Sequence, residues 1–479
     1  MKTRSVKRNA LLNIIKQICA IIFPMITFPY AFRVLGVNNY GKYTFSWNVV
    51  NYISYLAAAG ILRYAVRECA RVRDDKDKLS KLINELYSIN IITTAMSFLI
   101  LFALLIFVDH FHDYAPFILV LSVSVLFTTI GTDWINSAFE DYFFITIRYI
   151  IAQTVALGLL FVLVRNRDDI LGYSIVSVTG VIIANFFNYF HIRKNLGIKP
   201  KFLISKDMKK HIKPIMYFFA CSIATFIYIN SDISIIKLFF PYDDSHNGLY
   251  GAATRFYQLI KEMINAAFVV IIPRISNDLV NDKEKANSKL SKVLNFTILL
   301  TVPCSVGLFM VRENLIMIFS GAEFEGATTA LGILAFSLAP ALLANFYINI
   351  VMIPFKMEKK VTIATLISAA VNIGLNFILI PLYAENAAAF TTLLAETSLA
   401  CMGIYYARKI KIGNVSKSLI TALVGSGLIF VICFALNNLI KNRILNFVSD
   451  IVLSGIAYVV VFAIFYNKDI KEFLKKRKR

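Results

Sequence analysis

Apolar residues run through this chain in stretches of about twenty or more, separated by shorter polar connections, almost from end to end. Fourteen such segments can be placed, at about 10–32, 42–62, 84–108, 115–138, 143–164, 170–191, 212–237, 247–272, 291–311, 327–353, 361–381, 386–406, 417–437 and 447–466. A helix rises about 1.5 Å per residue, so roughly 20 residues cross a hydrocarbon layer of about 30 Å. Each segment therefore predicts a membrane-crossing helix. The expected fold class is an all-α polytopic membrane protein with about 14 transmembrane helices.

Polar residues inside these segments recur at helical spacing. In the eighth, Gly251, Arg255, Gln258, Glu262 and Asn265 are spaced four, three, four and three, which is one face of a helix. A charge at the middle of a span costs roughly 2.5–3.5 kcal/mol, so Arg255 and Glu262 must face protein or water rather than lipid. Thr44, Asn48, Asn51 and Tyr55 repeat the pattern in the second segment, and Thr129, Asp133, Asn136 and Glu140 form a stripe in the fourth. The seventh carries Asn230 and Asp232 with Ser222 and Thr225, the tenth Asn345 and Asn349, and the eleventh Thr365, Ser368, Asn372 and Asn376. Lys16 and Gln17 lie in the first segment and Glu396 in the twelfth. Neutral stripes are equally expected of helix–helix hydrogen bonding, worth about 0.6 kcal/mol per bond. Charged Arg255, Glu262, Asp232 and Asp133 point instead to a pathway. Lys261 sits about 100° round the helix from Glu262, and Lys237 reads as a side chain snorkelling to the interface. Pro24, Pro29, Pro303, Pro340 and Pro354 are expected to break or end helices, and Pro273 and Pro381 to terminate theirs.

Composition agrees with a membrane chain: 58% of the 479 residues are hydrophobic and 16% charged, with mean hydropathy +0.67. A soluble chain would carry about 25% charged residues. The net charge of +21 would suggest nucleic acid in a soluble protein, but here the basic residues lie between the apolar segments. Counted on alternate sides, 40 Lys and Arg fall with the two ends and the even-numbered connections, against 8 on the other side. That bias places both termini in the cytoplasm and excludes nucleic acid as a partner. The first segment, preceded by a basic stretch and lacking a small-residue cleavage site, reads as an uncleaved helix. The six cysteines have no disulfide or metal spacing. No phosphate-binding glycine loop is present, so no nucleotide or other cofactor is expected. HFHD (110–113) and DDSH (243–246) read as wet loops without an acid–base pair, and the connections are too short for a folded catalytic domain, so an enzyme is not expected.

An internal repeat is visible. KLSKLIN at 78–84 matches KLSKVLN at 289–295, Arg63 meets Arg274 at the same offset, and Tyr40-Gly41 matches Tyr250-Gly251. Thr146-Ile147 with Gly158 match Thr362-Ile363 with Gly374. Six segments separate the copies, an even number, so two parallel, pseudo-symmetric six-helix lobes are expected. The expected domains are 1–200 and 201–410 for the lobes, and 411–479 for two additional helices and a basic cytoplasmic tail.

Four stretches carry a family resemblance: RVLGVNNYGKYTFSWNVVNYISYLAAAGILRYAVRECAR (33–71), NSDISIIKLFF leading to GLYGAATRFYQLIKEMINAAFVVIIPRIS (230–276), MIFSGAEFEGATTALGILAFS (317–337) and VNIGLNFILIPLYAENAAAFTTLLAE (371–396). In order and over nearly the whole chain, they resemble the Wzx-type bacterial polysaccharide repeat-unit flippases of the multidrug/oligosaccharidyl-lipid/polysaccharide exporter superfamily. The resemblance implies two six-helix lobes across a cavity and a bacterial inner-membrane location. It also implies movement of an undecaprenyl-pyrophosphate-linked oligosaccharide from inner to outer leaflet by alternating access. Membrane lipids and the polysaccharide polymerase machinery are the accompanying partners. An anionic carrier suits cavity cations, for which Arg255, Lys16 and Lys261 are the candidates. Asn48, Asn51, Tyr55, Gln258, Asn265, Asn345, Asn349, Asn372 and Asn376 are candidates for sugar hydroxyls, and Asp232, Glu262, Asp133 and Glu396 for a coupling proton or sodium ion. A peptidoglycan-precursor flippase and a drug/cation antiporter of the same superfamily are the alternatives. A membrane glycan polymerase or ligase is a more remote one.

Overall fold

The computed structural model describes residues 6–72, 75–139, 142–194, 197–269, 283–410 and 412–468. Glu140, Pro273, Arg274 and the tail from residue 469 lie outside the described residues, as do the side chains of Arg63, Ser222 and Thr225. No strand occurs among the described residues, and each of the fourteen predicted segments falls on a helix. Among the described residues ten helices are long and apolar enough to cross a membrane. Two of these each hold a pair of predicted segments. Helices α8 (Lys209–Phe239) and α9 (Ser245–Val269), which carry the seventh and eighth, are not among the ten.

Helix α1 (Val6–Ala58) has 53 residues, roughly 80 Å of helix and too long for one crossing. It bends at Gly36, whose φ of 73° and ψ of 174° suit only glycine. The first two predicted segments lie on either side. The fourth does not run unbroken: α4 (Ala115–Gly131) ends at Thr132, in the left-handed region at φ 47°, and α5 (Trp134–Ala138) restarts the helix. The expected proline breaks are corrected at four sites. Pro24 and Pro29 lie inside α1, Pro303 inside α10 (Lys283–Phe319) and Pro340 inside α11 (Ala327–Asn345). A membrane helix absorbs the lost hydrogen bond because neighbouring groups satisfy the freed carbonyl.

The described residues divide into two compact units, Met1–Gly248 and Leu249–Arg479. In the first, α1 packs on α3 (Lys76–Phe107), α4, α6 (Tyr142–Leu163), α7 (Ile170–Lys194) and α8, and α2 (Ile61–Val72) fills the angle between α3, α5 and α8. In the second, α11 lies between α10 and α12 (Glu358–Ala407), while α13 (Ser416–Leu439) and α14 (Arg443–Phe465) form a pair against α10. Helix α12 holds the eleventh and twelfth segments, separated at Ala384 with φ 46° and ψ −126°. Beyond Asn345, α11 continues as a π-helical turn, Phe346–Met352.

Two glycines let backbones touch in the first unit. A Cβ on Gly41 would lie 1.9 Å from the carbonyl oxygen of Asp244, and one on Gly248 would lie 2.1 Å from that of Val37. Next to this contact, Lys237 does not snorkel. It is buried, with Nζ 2.8 Å from Asp244 Oδ1. The Tyr114 hydroxyl donates to the same carboxylate at 2.9 Å, and the rings of Tyr114 and Phe45 flank the ammonium at 4.9 and 5.9 Å. Thus Asp244, expected in a wet loop, is half of a buried ion pair.

Candidate functional site

The polar stripe of α9 is a real face of that helix. Ala252, Ala253, Phe256, Tyr257 and Ile264 are buried, whereas Gln258 and Glu262 are exposed and Arg255 and Asn265 half-buried. The sequence dictates this division: small and aromatic residues occupy the positions that pack, and polar ones recur between them every three or four residues. Lys261 lies off the stripe. Its ammonium is 2.9 Å from Glu396 Oε1 of α12 and stands over the ring of buried Tyr257 at 5.5 Å. The structure thus joins a candidate cation to a candidate coupling carboxylate, each offsetting the other's charge.

An amide chain leaves the stripe at its far end. Asn345 Nδ2 donates to Asn265 Oδ1 at 2.7 Å, and Asn349, on the π-helical turn and exposed, donates to Asn345 Oδ1. Asn372 and Asn376 are placed differently. Both are buried, and they bond each other and Thr391 across the two halves of α12, while Ser368 donates to the Ala395 carbonyl at 2.6 Å. Their amides hold a helical hairpin together.

In the first unit Asn48 is buried and donates to the Asn230 carbonyl at 2.9 Å; its Oδ1 has no hydrogen-bond partner among the described residues. Tyr55 is exposed and lies on the Phe226 ring at 3.8 Å, one turn from half-buried Asn51. Asp232 is buried, close enough to Tyr52 to interact electrostatically. Lys16 stands 6.0 Å from the Tyr149 ring and within electrostatic reach of Asp133 and Arg148, which form an ion pair between the end of α4 and α6. Arg148 also donates to the Ala184 carbonyl of α7 at 3.1 Å.

One buried charge network was not foreseen. His211 bridges Tyr64 Oη at 2.7 Å and Glu85 Oε2 at 2.7 Å, all three buried, with Lys210 at 3.2 Å from the same carboxylate. It pins α8 to α2 and α3. The signal was a lone histidine within a lysine-rich connection, which is indistinguishable in sequence from a solvated loop. No group of three potential metal ligands occurs among the described residues.

Helix-lined, with charges on faces that lipid would reject, the molecule is a multi-pass membrane transporter in architecture. Among solved structures it is similar to the lipid II flippase MurJ in an inward closed conformation, with a TM-score of 0.78 over 96% of this chain and 99% of that one, at 18% identity. In sequence it is 22% identical to an Escherichia coli K12 protein named "Putative O-antigen transporter", over 85% of this chain and 98% of that protein. It is 24% identical to a Haloferax volcanii protein named "Probable low-salt glycan biosynthesis flippase Agl15", over 56% of this chain and 57% of that one. The model of the family described as "Polysaccharide biosynthesis protein" matches residues 6–278, more than half the chain. The chain belongs to that family, and the Wzx-type resemblance read from its motifs stands.

Proposed function

We propose that this protein moves an oligosaccharide, linked through pyrophosphate to undecaprenol, from the inner to the outer leaflet of the bacterial cytoplasmic membrane. The observation that carries the reading is the face of α9. It presents Arg255, Gln258, Glu262 and Asn265 away from the packed side of a helix within a membrane protein of the polysaccharide family. An arginine about 4 Å from a phosphate at an effective dielectric near 20 gains about 4 kcal/mol before desolvation, enough to hold an anionic carrier. Gln258, Asn265 and exposed Asn349 supply donors and acceptors that sugar hydroxyls can match in varied orientations. The lobes at 1–200 and 201–410 alternate access, 411–479 supplies two additional helices and a basic tail, and both chain ends lie in the cytoplasm. An ion gradient drives the cycle, with Asp232 and Glu262 as the carboxylates that exchange a proton or sodium ion. The glycan polymerase machinery receives the product.

The test is mass spectrometry of carrier lipids in a deletion strain complemented with Arg255 variants. Carrier-linked repeat units accumulate on the cytoplasmic leaflet without the protein. Arg255→Ala lowers export by roughly 30- to 160-fold, as the loss of about 2–3 kcal/mol of charge interaction predicts, and Arg255→Lys retains part of it. Unchanged export with Arg255→Ala refutes the cation assignment. Loss of peptidoglycan precursor export, with the surface polymer intact, favours the precursor-flippase reading instead.

A further inference from the structure

In the second unit, away from the α9 stripe, a cavity of about 490 Å³ opens where α10, α13 and α14 end. Its walls include Arg312, Glu313 and Asn314 from α10, Phe430 and Phe434 from α13, Lys441 from the connection, and Arg443 and Asn446 from the first turn of α14. Three cations face one carboxylate. Among the described residues Glu313 pairs with Arg443, loosely, at 3.8 Å with both side chains well exposed, and it also acts electrostatically on the adjacent Arg312. Among the described residues no carboxylate lies within ion-pair distance of Arg312 or Lys441. The pocket is firmly built. The Arg312 guanidinium stands over the Phe309 ring at 3.9 Å and donates to the Phe309 carbonyl. Buried Asn446 accepts from Asn314 at 2.8 Å, and Asn442 caps α14 by accepting from Ile444 and Leu445 at 3.1 Å each.

We propose that this cavity binds the phosphate of an anionic glycerophospholipid headgroup. Charge complementarity selects an anion, with Glu313 the one group in the lining that opposes it. The setting selects a lipid over a free anion. Phe430 and Phe434 stack in parallel at 6.2 Å along the cavity wall. Beside them α13 exposes Val431, and further along α14 Val452, Ile456 and Val459 are exposed, apolar surface on which acyl chains can lie while the headgroup sits among the cations. Arg312, Lys441 and Arg443 are all on the side that the charge bias makes external, so the lipid belongs to the outer leaflet.

Native mass spectrometry of the purified full-length protein, titrated with phosphatidylglycerol, phosphatidylcholine or inorganic phosphate, tests it. Phosphatidylglycerol is expected to bind and phosphatidylcholine and inorganic phosphate not to. Each cation contributes about fivefold, so the triple variant R312Q/K441Q/R443Q loses roughly a hundredfold in affinity. Glu313→Gln removes the opposing charge and raises affinity about fivefold by the same measure, an outcome that misfolding cannot imitate. Binding of inorganic phosphate as tight as that of phosphatidylglycerol overturns the lipid assignment. Equal binding by wild type, the triple variant and Glu313→Gln overturns the site.

Discussion

The buried pair Lys237–Asp244 supports a sharp test of what holds the first unit at the α8–α9 connection. With 2.8 Å between Nζ and Oδ1, the gross attraction at an effective dielectric of about 20 is about 6 kcal/mol, much of it offset by desolvation of two ions. Removing one partner is the costly change, because it strands the other charge. Lys237→Met is expected to destabilise by about 3–5 kcal/mol. Asp244→Asn is expected to cost less, since the orphaned ammonium keeps the faces of Tyr114 and Phe45, at 4.9 and 5.9 Å, and a desolvated cation–π contact contributes about 2 kcal/mol. The double variant K237M/D244N removes both charges together and leaves Tyr114 an amide oxygen to donate to, so it is expected within about 1.5 kcal/mol of wild type. The assay is unfolding of purified protein in mixed micelles by titrated dodecyl sulfate, followed by the fluorescence of Trp47 and Trp134. The decisive quantity is the coupling energy of the cycle. If the two single effects simply add in the double variant, the pair does not hold the connection and the reasoning fails.

Three further predictions use the same unfolding measurement or a transport readout. Gly41→Ala drives a methyl to 1.9 Å from a backbone carbonyl that no side-chain rotation can relieve, so a loss of about 3 kcal/mol is expected. Gly374→Ala, with nothing within 4 Å of the added carbon, should instead gain about 0.5–1 kcal/mol from helix propensity. Reversing either charge of the Lys261–Glu396 pair should lower both stability and export, and the exchange K261E/E396K should restore most of each. If the exchange restores stability but not export, Glu396 acts on an ion as well as on Lys261.

The helices were legible because membrane burial writes itself along the chain: long apolar stretches with polar residues every three or four. The α9 face could be read for the same reason, and burial of Phe256, Tyr257 and Ile264 on the opposite side bears it out. What escaped depends on partners distant in sequence. Lys237 sits at a segment end, where a snorkelling lysine looks identical until the turn brings Asp244 back on it from seven residues further on and Tyr114 arrives from another helix. His211 had the same problem among its lysines. Proline was a poor guide to helix breaks, since neighbours tolerate it at Pro303 and Pro340. The bends came at Gly36, Thr132 and Ala384. Of these, only glycine announces a left-handed backbone by its chemistry.

The π-helical turn after Asn345 has a consequence for movement. Its bonds span five residues, as from the Ile353 amide to the Ile348 carbonyl at 3.1 Å and from Met357 to Met352 at 2.9 Å. An α-ladder over the same residues differs by a single step, so the turn can exchange one bonding pattern for the other without exposing its backbone to lipid. Such an exchange rotates everything beyond it by about one residue, roughly 100°. Because Asn349 rides on this turn and is wired through Asn345 to Asn265, a change of pitch there would pull on the polar face of α9.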